Sequence, residues 1–94
     1  MRSTHVQSSS HRAFGQAVRE LRACRGLSQE ALGYAAELHR NYVGASERGE
    51  LNPTIRTVLR LAFGLQVRPS RLVQIAERHQ ADMTGWPQPH DRSQ

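Results

Sequence analysis

Arg40 and Asn41 stand next to each other and carry two side chains well matched to nucleic-acid bases. A guanidinium can pair with both acceptors of guanine, and a carboxamide with the donor and acceptor of adenine. Tyr42 follows, able to lay its ring against a thymine methyl or to reach a phosphate. Gly44 and Ala45 come behind and are small, so bulk is confined to one end of the segment. That distribution suits a helix entering a major groove by its N-terminal end, where bases are read while small residues behind avoid collision. Gln29 adds a second carboxamide, fit for a phosphate or a base edge. The same residues also describe an ordinary polar helix exposed to water.

Positioning such residues is the task of the stretch 27–53, LSQEALGYAAELHRNYVGASERGELNP. Its pattern predicts a short helix opened by Ser28, with Glu30 well placed in the first turn against the helix dipole. A tight turn comes near Glu37 and Leu38, then a second short helix over 39–47, then a polar loop closed by Gly49 and Pro53. Two short helices joined by a three- or four-residue turn are the geometry by which one helix braces another inside a DNA groove. Ala31, Leu32, Ala35 and Ala36 form the expected inner face of the first of these helices. In the second, Val43 is the core anchor, Leu38 precedes it as a staple, and Tyr42 is partly buried.

Around this stretch the chain reads as more helices. Phe14, Ala17, Val18, Leu21 and Cys24 recur at three- and four-residue steps, predicting a helix over 11–25 that is ended by Gly26. Cys24 is expected in the core; Arg19, Arg22 and Arg25 lie off the stripe, either toward phosphate or toward solvent. Thr54 caps the next helix, whose Ile55, Val58, Leu59, Leu61, Ala62 and Leu65 make it the most apolar and the expected centre of the core. Arg56 and Arg60 share its solvent side. Pro69 opens a fifth helix over 69–80 with a stripe of Leu72, Ile75, Ala76 and His79 and with Val73 beside it. The extra apolar width suggests a two-fold homodimer face, although packing within one subunit can absorb the same residues. Residues 1–10 read as a flexible arm carrying Arg2, residues 11–80 as the domain, and residues 81–94 as a tail with Trp86 as its one strong apolar group.

Composition narrows the function classes. The 94 residues suffice for one small domain. Thirteen arginines, no lysine and eight acids leave a net charge of +5. This excess favours a polyanionic partner without naming it. A single cysteine excludes an intrachain disulfide and points to a reducing, cytoplasmic setting. No apolar run has the length of a membrane span or signal peptide. Catalysis is not expected: Gly44 to Arg48 departs from a nucleophile elbow where Arg48 replaces glycine, and no strand precedes Ser46. The five histidines lack metal-ligand spacing, and no glycine-rich phosphate loop is present, so no metal or cofactor is expected.

Residues 27–53, with the supporting segments Leu27-Ser28-Gln29-Glu30, Arg40-Asn41-Tyr42-Val43, Glu47-Arg48-Gly49, Asn52-Pro53-Thr54 and 61–67, resemble the Cro and phage-repressor helix-turn-helix family, also called the XRE family. The resemblance extends over about residues 14–73. It implies an all-α, compact five-helix bundle of the lambda-repressor-like kind. It further implies a sequence-specific regulator of transcription, a repressor or autoregulator, that binds double-stranded operator DNA as a homodimer on two half-sites. Gln29, Arg40, Asn41 and Tyr42 would face DNA, and Arg48 and Asn52 the phosphate backbone. His39 takes a position at which the family usually has a serine, threonine or aspartate cap, and would contact phosphate instead. Glu47 would hold the fold by pairing with a nearby arginine. The setting implied is cytoplasmic and nucleoid-associated, in a bacterium or phage. The rival is a protein-interaction module of the same fold, such as the antitoxin partner in a toxin-antitoxin pair.

Two positions depart from the family pattern. Glu37 stands where the turn usually has glycine, at a cost on the order of 1 kcal/mol if the residue is left-handed. Ser46 replaces a bulky apolar anchor, leaving the helix loosely packed or its hydroxyl bonded back to the chain.

Overall fold

Four of the helices open on a side chain that accepts a backbone N–H from their own first turn, and this local chemistry sets the element order. In the computed structural model, which describes residues 8–85, the helices are α1 (Ser9–Arg25), α2 (Gln29–Ala36), α3 (Arg40–Glu47), α4 (Ile55–Leu65) and α5 (Pro69–Thr84). Ser8 Oγ accepts from His11 N, Ser28 Oγ from Ala31 N and Thr54 Oγ1 from Thr57 N. At α3 the acceptor is His39 Nδ1, 2.9 Å from Asn41 N. His39 therefore fills the capping role itself, as the serine or threonine it replaces would. For α5 no side chain caps the N-terminus, and Pro69 supplies a first position that needs no N–H partner.

The ends of α1 and α5 extend beyond the sequence expectation. Ser9 and Ser10, predicted to lie in the arm, are helical, because Ser8 captures the first turn and Gln80 Nε2 donates to Ser9 Oγ at 2.7 Å. Likewise α5 continues past Gln80 to Thr84 before Gly85 turns left-handed. Arg2 of the arm and Trp86 of the tail lie outside the described residues.

The periodicity predicted these helices and the family resemblance implied their all-α five-helix bundle; among the described residues no strand occurs. The core joins Phe14, Ala17, Val18 and Leu21 of α1 to Leu32 and Ala36 of α2, Val43 of α3, Leu61, Ala62 and Leu65 of α4, and Leu72 and Ile75 of α5. Leu38 packs against it from the turn. No helix among the described residues is long and apolar enough to cross a membrane.

Four residues expected inside are on the surface. Cys24 is exposed because the core ends one turn earlier on α1, at Leu21. Ala35 is exposed because the eight-residue α2 buries only the face of Leu32, Gly33 and Ala36. Ile55 and Leu59 are 73% and 48% exposed, and Phe63 continues them at 77%. These three step by four along one side of α4, while Leu61, Ala62 and Leu65 turn inward from the other. On α5 the expected stripe is largely absorbed by the subunit's own core, where Leu72 and Ile75 are buried, while Val73 remains exposed.

The α1/α5 pair is fastened by polar contacts. Arg78 Nη2 donates to both Glu20 oxygens at 2.7 and 2.9 Å, and His79 Nε2 lies 2.8 Å from Glu20 Oε1. The Arg78 hydrogen bonds, aided by His79, hold the Glu20 carboxyl below its ordinary range.

Between α1 and α3 the approach is close enough to need Gly15. A Cβ there would lie 2.3 Å from the Ser46 carbonyl oxygen and 2.7 Å from that of Glu47. Ser46 is only 2% exposed, and its hydroxyl finds no hydrogen-bond partner. Neither expectation for Ser46 holds: α3 is tightly seated, and the hydroxyl is not bonded back to the chain. Glu37 is left-handed at φ 61°, the strained case considered from sequence, and Gln66 ends α4 the same way at φ 60°.

Candidate nucleic-acid interface

Ser28 and His39 cap α2 and α3, and the first residues of both helices emerge on one side of the bundle. An open depression there is lined by Gln29 and Glu30 of α2, by Arg40, Asn41 and Gly44 of α3, and by Arg48 just beyond it. Arg40 and Asn41 are exposed at the leading end of α3. Five of the residues expected from sequence to face DNA, namely Gln29, Arg40, Asn41, Gly44 and Arg48, thus share one surface.

That surface is held from behind by a chain of hydrogen bonds across three helices. Arg22 Nη1 of α1 donates to the Leu27 carbonyl at 2.8 Å, while its Nε and Nη2 donate to the two oxygens of Glu47 at 2.6 and 3.0 Å. Gln29 Nε2 then donates to Glu47 Oε1 at 3.1 Å. Glu47 is nearly buried and Arg22 mostly so. The Glu47 hydrogen bonds raise the Arg22 pKa further above its already basic value. The sequence placed Arg22 either on phosphate or in solvent, and it does neither; it is the arginine that Glu47 was expected to find. Gln29 is consequently a tethered residue, with one amide N–H committed to Glu47.

The remaining expected residues divide. Gly44 is buried, since Gln29 and Arg48 lie over it; a Cβ at Gly44 would stand 3.2 Å from Arg48 Nη1 and 3.3 Å from Gln29 Oε1. It is the floor of the surface and has no side chain to offer a duplex. Tyr42 is half-buried, and its hydroxyl lies 3.2 Å from Thr57 Oγ1 on α4, which places it outside the depression. Ala45 is half-buried and Asn52 exposed in the loop before α4, and neither lines the depression. His39 borders an adjoining hollow with Glu30, Tyr34, Leu38 and Arg40. Arg48 donates to both Glu50 oxygens at 2.9 and 3.1 Å, which raises the arginine pKa and lowers that of the glutamate.

Two residues at this surface had no functional signal in the sequence. Glu30 looked like a favourable first-turn acid and nothing more, yet its Oε1 lies 3.7 Å from Arg40 Nη1. Tyr34 is 89% exposed. The i to i+4 spacing of Glu30 and Tyr34 on α2 could have put them on one face. Their nearness to Arg40 depends on how α3 turns back.

Comparisons with known proteins agree with this fold. The helix-turn-helix domain family matches residues 13–77. The control protein C.BamHI of Bacillus amyloliquefaciens is 36% identical over 61 residues, 64% of this chain and 75% of that protein. The control protein C.SmaI of Serratia marcescens is 41% identical over 56 residues, 60% of this chain and 67% of its own. Among solved structures, the restriction-modification controller protein C.AhdI from Aeromonas hydrophila superposes with a TM-score of 0.67 at 43% identity, covering 69% of this chain and 98% of that one.

Proposed function

The chain belongs to the helix-turn-helix family of DNA-binding transcription regulators, and from that premise we propose that it reads an operator by inserting α3 into the major groove. Arg40 and Asn41 take the base edges, with Gln29 beside them; Arg48, His39 and Asn52 lie toward the phosphates. The observation that carries this reading is the outward placement of Arg40 and Asn41 at the leading end of a helix whose other end is locked by Arg22 and Glu47. The reading element is thereby held from behind while its two most discriminating side chains stay exposed toward a duplex. The role is one of binding, without catalysis, in the cytoplasm.

The active unit is a homodimer on two half-sites. Its support is the stripe of Ile55, Leu59 and Phe63 on α4, which one subunit leaves in water. Such a stripe gains by meeting a second copy, and one short recognition helix specifies few base pairs alone. The kinship with three control proteins, one of them a restriction-modification controller, supports a role in regulating a restriction-modification locus. It also favours the DNA-binding reading over an antitoxin-like interaction module.

Selection of bound duplexes from a random pool by the purified chain tests the proposal. Enrichment of a motif in two halves, centred about 34–36 Å apart, is expected. No enrichment over input, with the protein folded, would refute it.

A further inference from the structure

The depression that carries the bases' expected partners also contains a carboxylate. Glu30 Oε1 lies 3.7 Å from Arg40 Nη1, and both side chains are largely exposed. At +5 net charge the molecule suits a polyanion, yet this acid sits on the very surface assigned to it. Acceptor-only at neutral pH, a carboxylate is repelled by phosphate and has nothing to donate to it.

Resting on the reading of α3 as the recognition helix, we propose that Glu30 is a specificity-determining residue that acts by positioning Arg40. Its charge offsets that of Arg40 whenever the guanidinium meets only backbone phosphate, so capture by an arbitrary duplex is weakened. A guanine edge presents neutral acceptors, and at 3.7 Å from Glu30 the N–H groups of Arg40 are not hydrogen-bonded to it and can pair with both of them. On that same base pair the cytosine amino group offers a donor, which a carboxylate can face without penalty. Guanidinium and carboxylate together therefore match the acceptor, acceptor and donor order of a G·C pair and mismatch a row of phosphates. Gln29 and Arg48 do not share this task, since Gln29 is tethered to Glu47 and Arg48 is bound to Glu50.

Binding of Glu30→Gln to the selected site and to a random duplex, each over a range of salt, tests the idea. Affinity for the random duplex should rise about three- to tenfold, and the preference for the selected site should fall by a similar factor. The slope of log affinity against log salt on random duplex should steepen by up to about one, as Arg40 gains a phosphate. In an Arg40→Ala background the same change should leave random-duplex binding unaltered. Unchanged binding and preference in Glu30→Gln would overturn the proposal. So would an equal rise with Arg40 absent, because repulsion would then act without the arginine. Failure of the parent protein to prefer any duplex would instead remove the recognition-helix reading beneath it.

Discussion

Arg22 and Glu47, twenty-five positions apart, meet through two hydrogen bonds of 2.6 and 3.0 Å behind the exposed face of α3. Their contact joins the long first helix to the end of α3. Through Gln29 it also reaches the start of α2. Removing one member leaves the other charge largely buried without its counter-ion, which costs on the order of 3 kcal/mol. Arg22→Ala is expected to lose that much in urea unfolding. An effect within about 0.5 kcal/mol, the range of ordinary surface substitutions, would show that the pair does not fasten α3.

Arg40 and Arg48 should differ in kind. Arg40→Ala is expected to abolish site preference, each good bidentate base contact being worth about 1–3 kcal/mol of discrimination. Arg48→Ala should weaken all duplexes about evenly and lower the salt slope by about one. Equal loss of preference in the two variants, measured by competition binding, would contradict this division.

Ser46 carries a buried hydroxyl with no partner. Its desolvation is uncompensated, and deleting it should restore about 1–3 kcal/mol less any packing lost with the oxygen. Ser46→Ala is therefore expected to raise Tm. A lower Tm would mean that the oxygen is hydrogen-bonded in solution.

Acid should loosen the α1/α5 pair through Glu20. Held below its ordinary value of 4.5 by Arg78 and His79, this carboxyl binds its proton less tightly in the folded chain than in the unfolded one. Its stabilising contribution is present above pH 4.5 and is lost as pH falls through the lower folded value. Glu20→Gln should melt lower than the parent at neutral pH, and the gap should close below pH 4.5. A gap constant across that range would assign the loss to something other than ionisation.

Phe63 lies at the end of the exposed stripe on α4. Phe63→Asp puts a charge into the proposed subunit contact while touching little in the subunit's own core. Sedimentation should show a dimer converted to monomer, with unchanged helicity and a several-fold loss of operator affinity. A variant that remains dimeric would place the contact elsewhere.

Much of the fold was legible because the signals are local. Ser28 and Thr54 act within three residues of themselves, and the spacing of Phe14, Ala17, Val18 and Leu21 repeats every turn. The start of α1 at Ser9, two residues before the expected His11, has a less local cause. Ser9 looks like solvated linker until α5 brings Gln80 beside it, while the cap at Ser8 is as local as the one at Ser28.

What the chain determines on its own is where α2 to α5 begin, which side of most helices is oily, and that Arg40 and Asn41 stand at the front of the third. These follow from hydrogen bonds and side-chain periodicity spanning four residues or fewer. Which arginine meets Glu47, why Gly44 lies beneath two side chains, that Ile55, Leu59 and Phe63 are left in water, and that Glu30 stands beside Arg40 are decided only in three dimensions. Each depends on the angle at which one helix crosses another. That angle is set by close packing of the whole core around residues such as Gly15, whose missing side chain has no meaning until Ser46 is pressed against it.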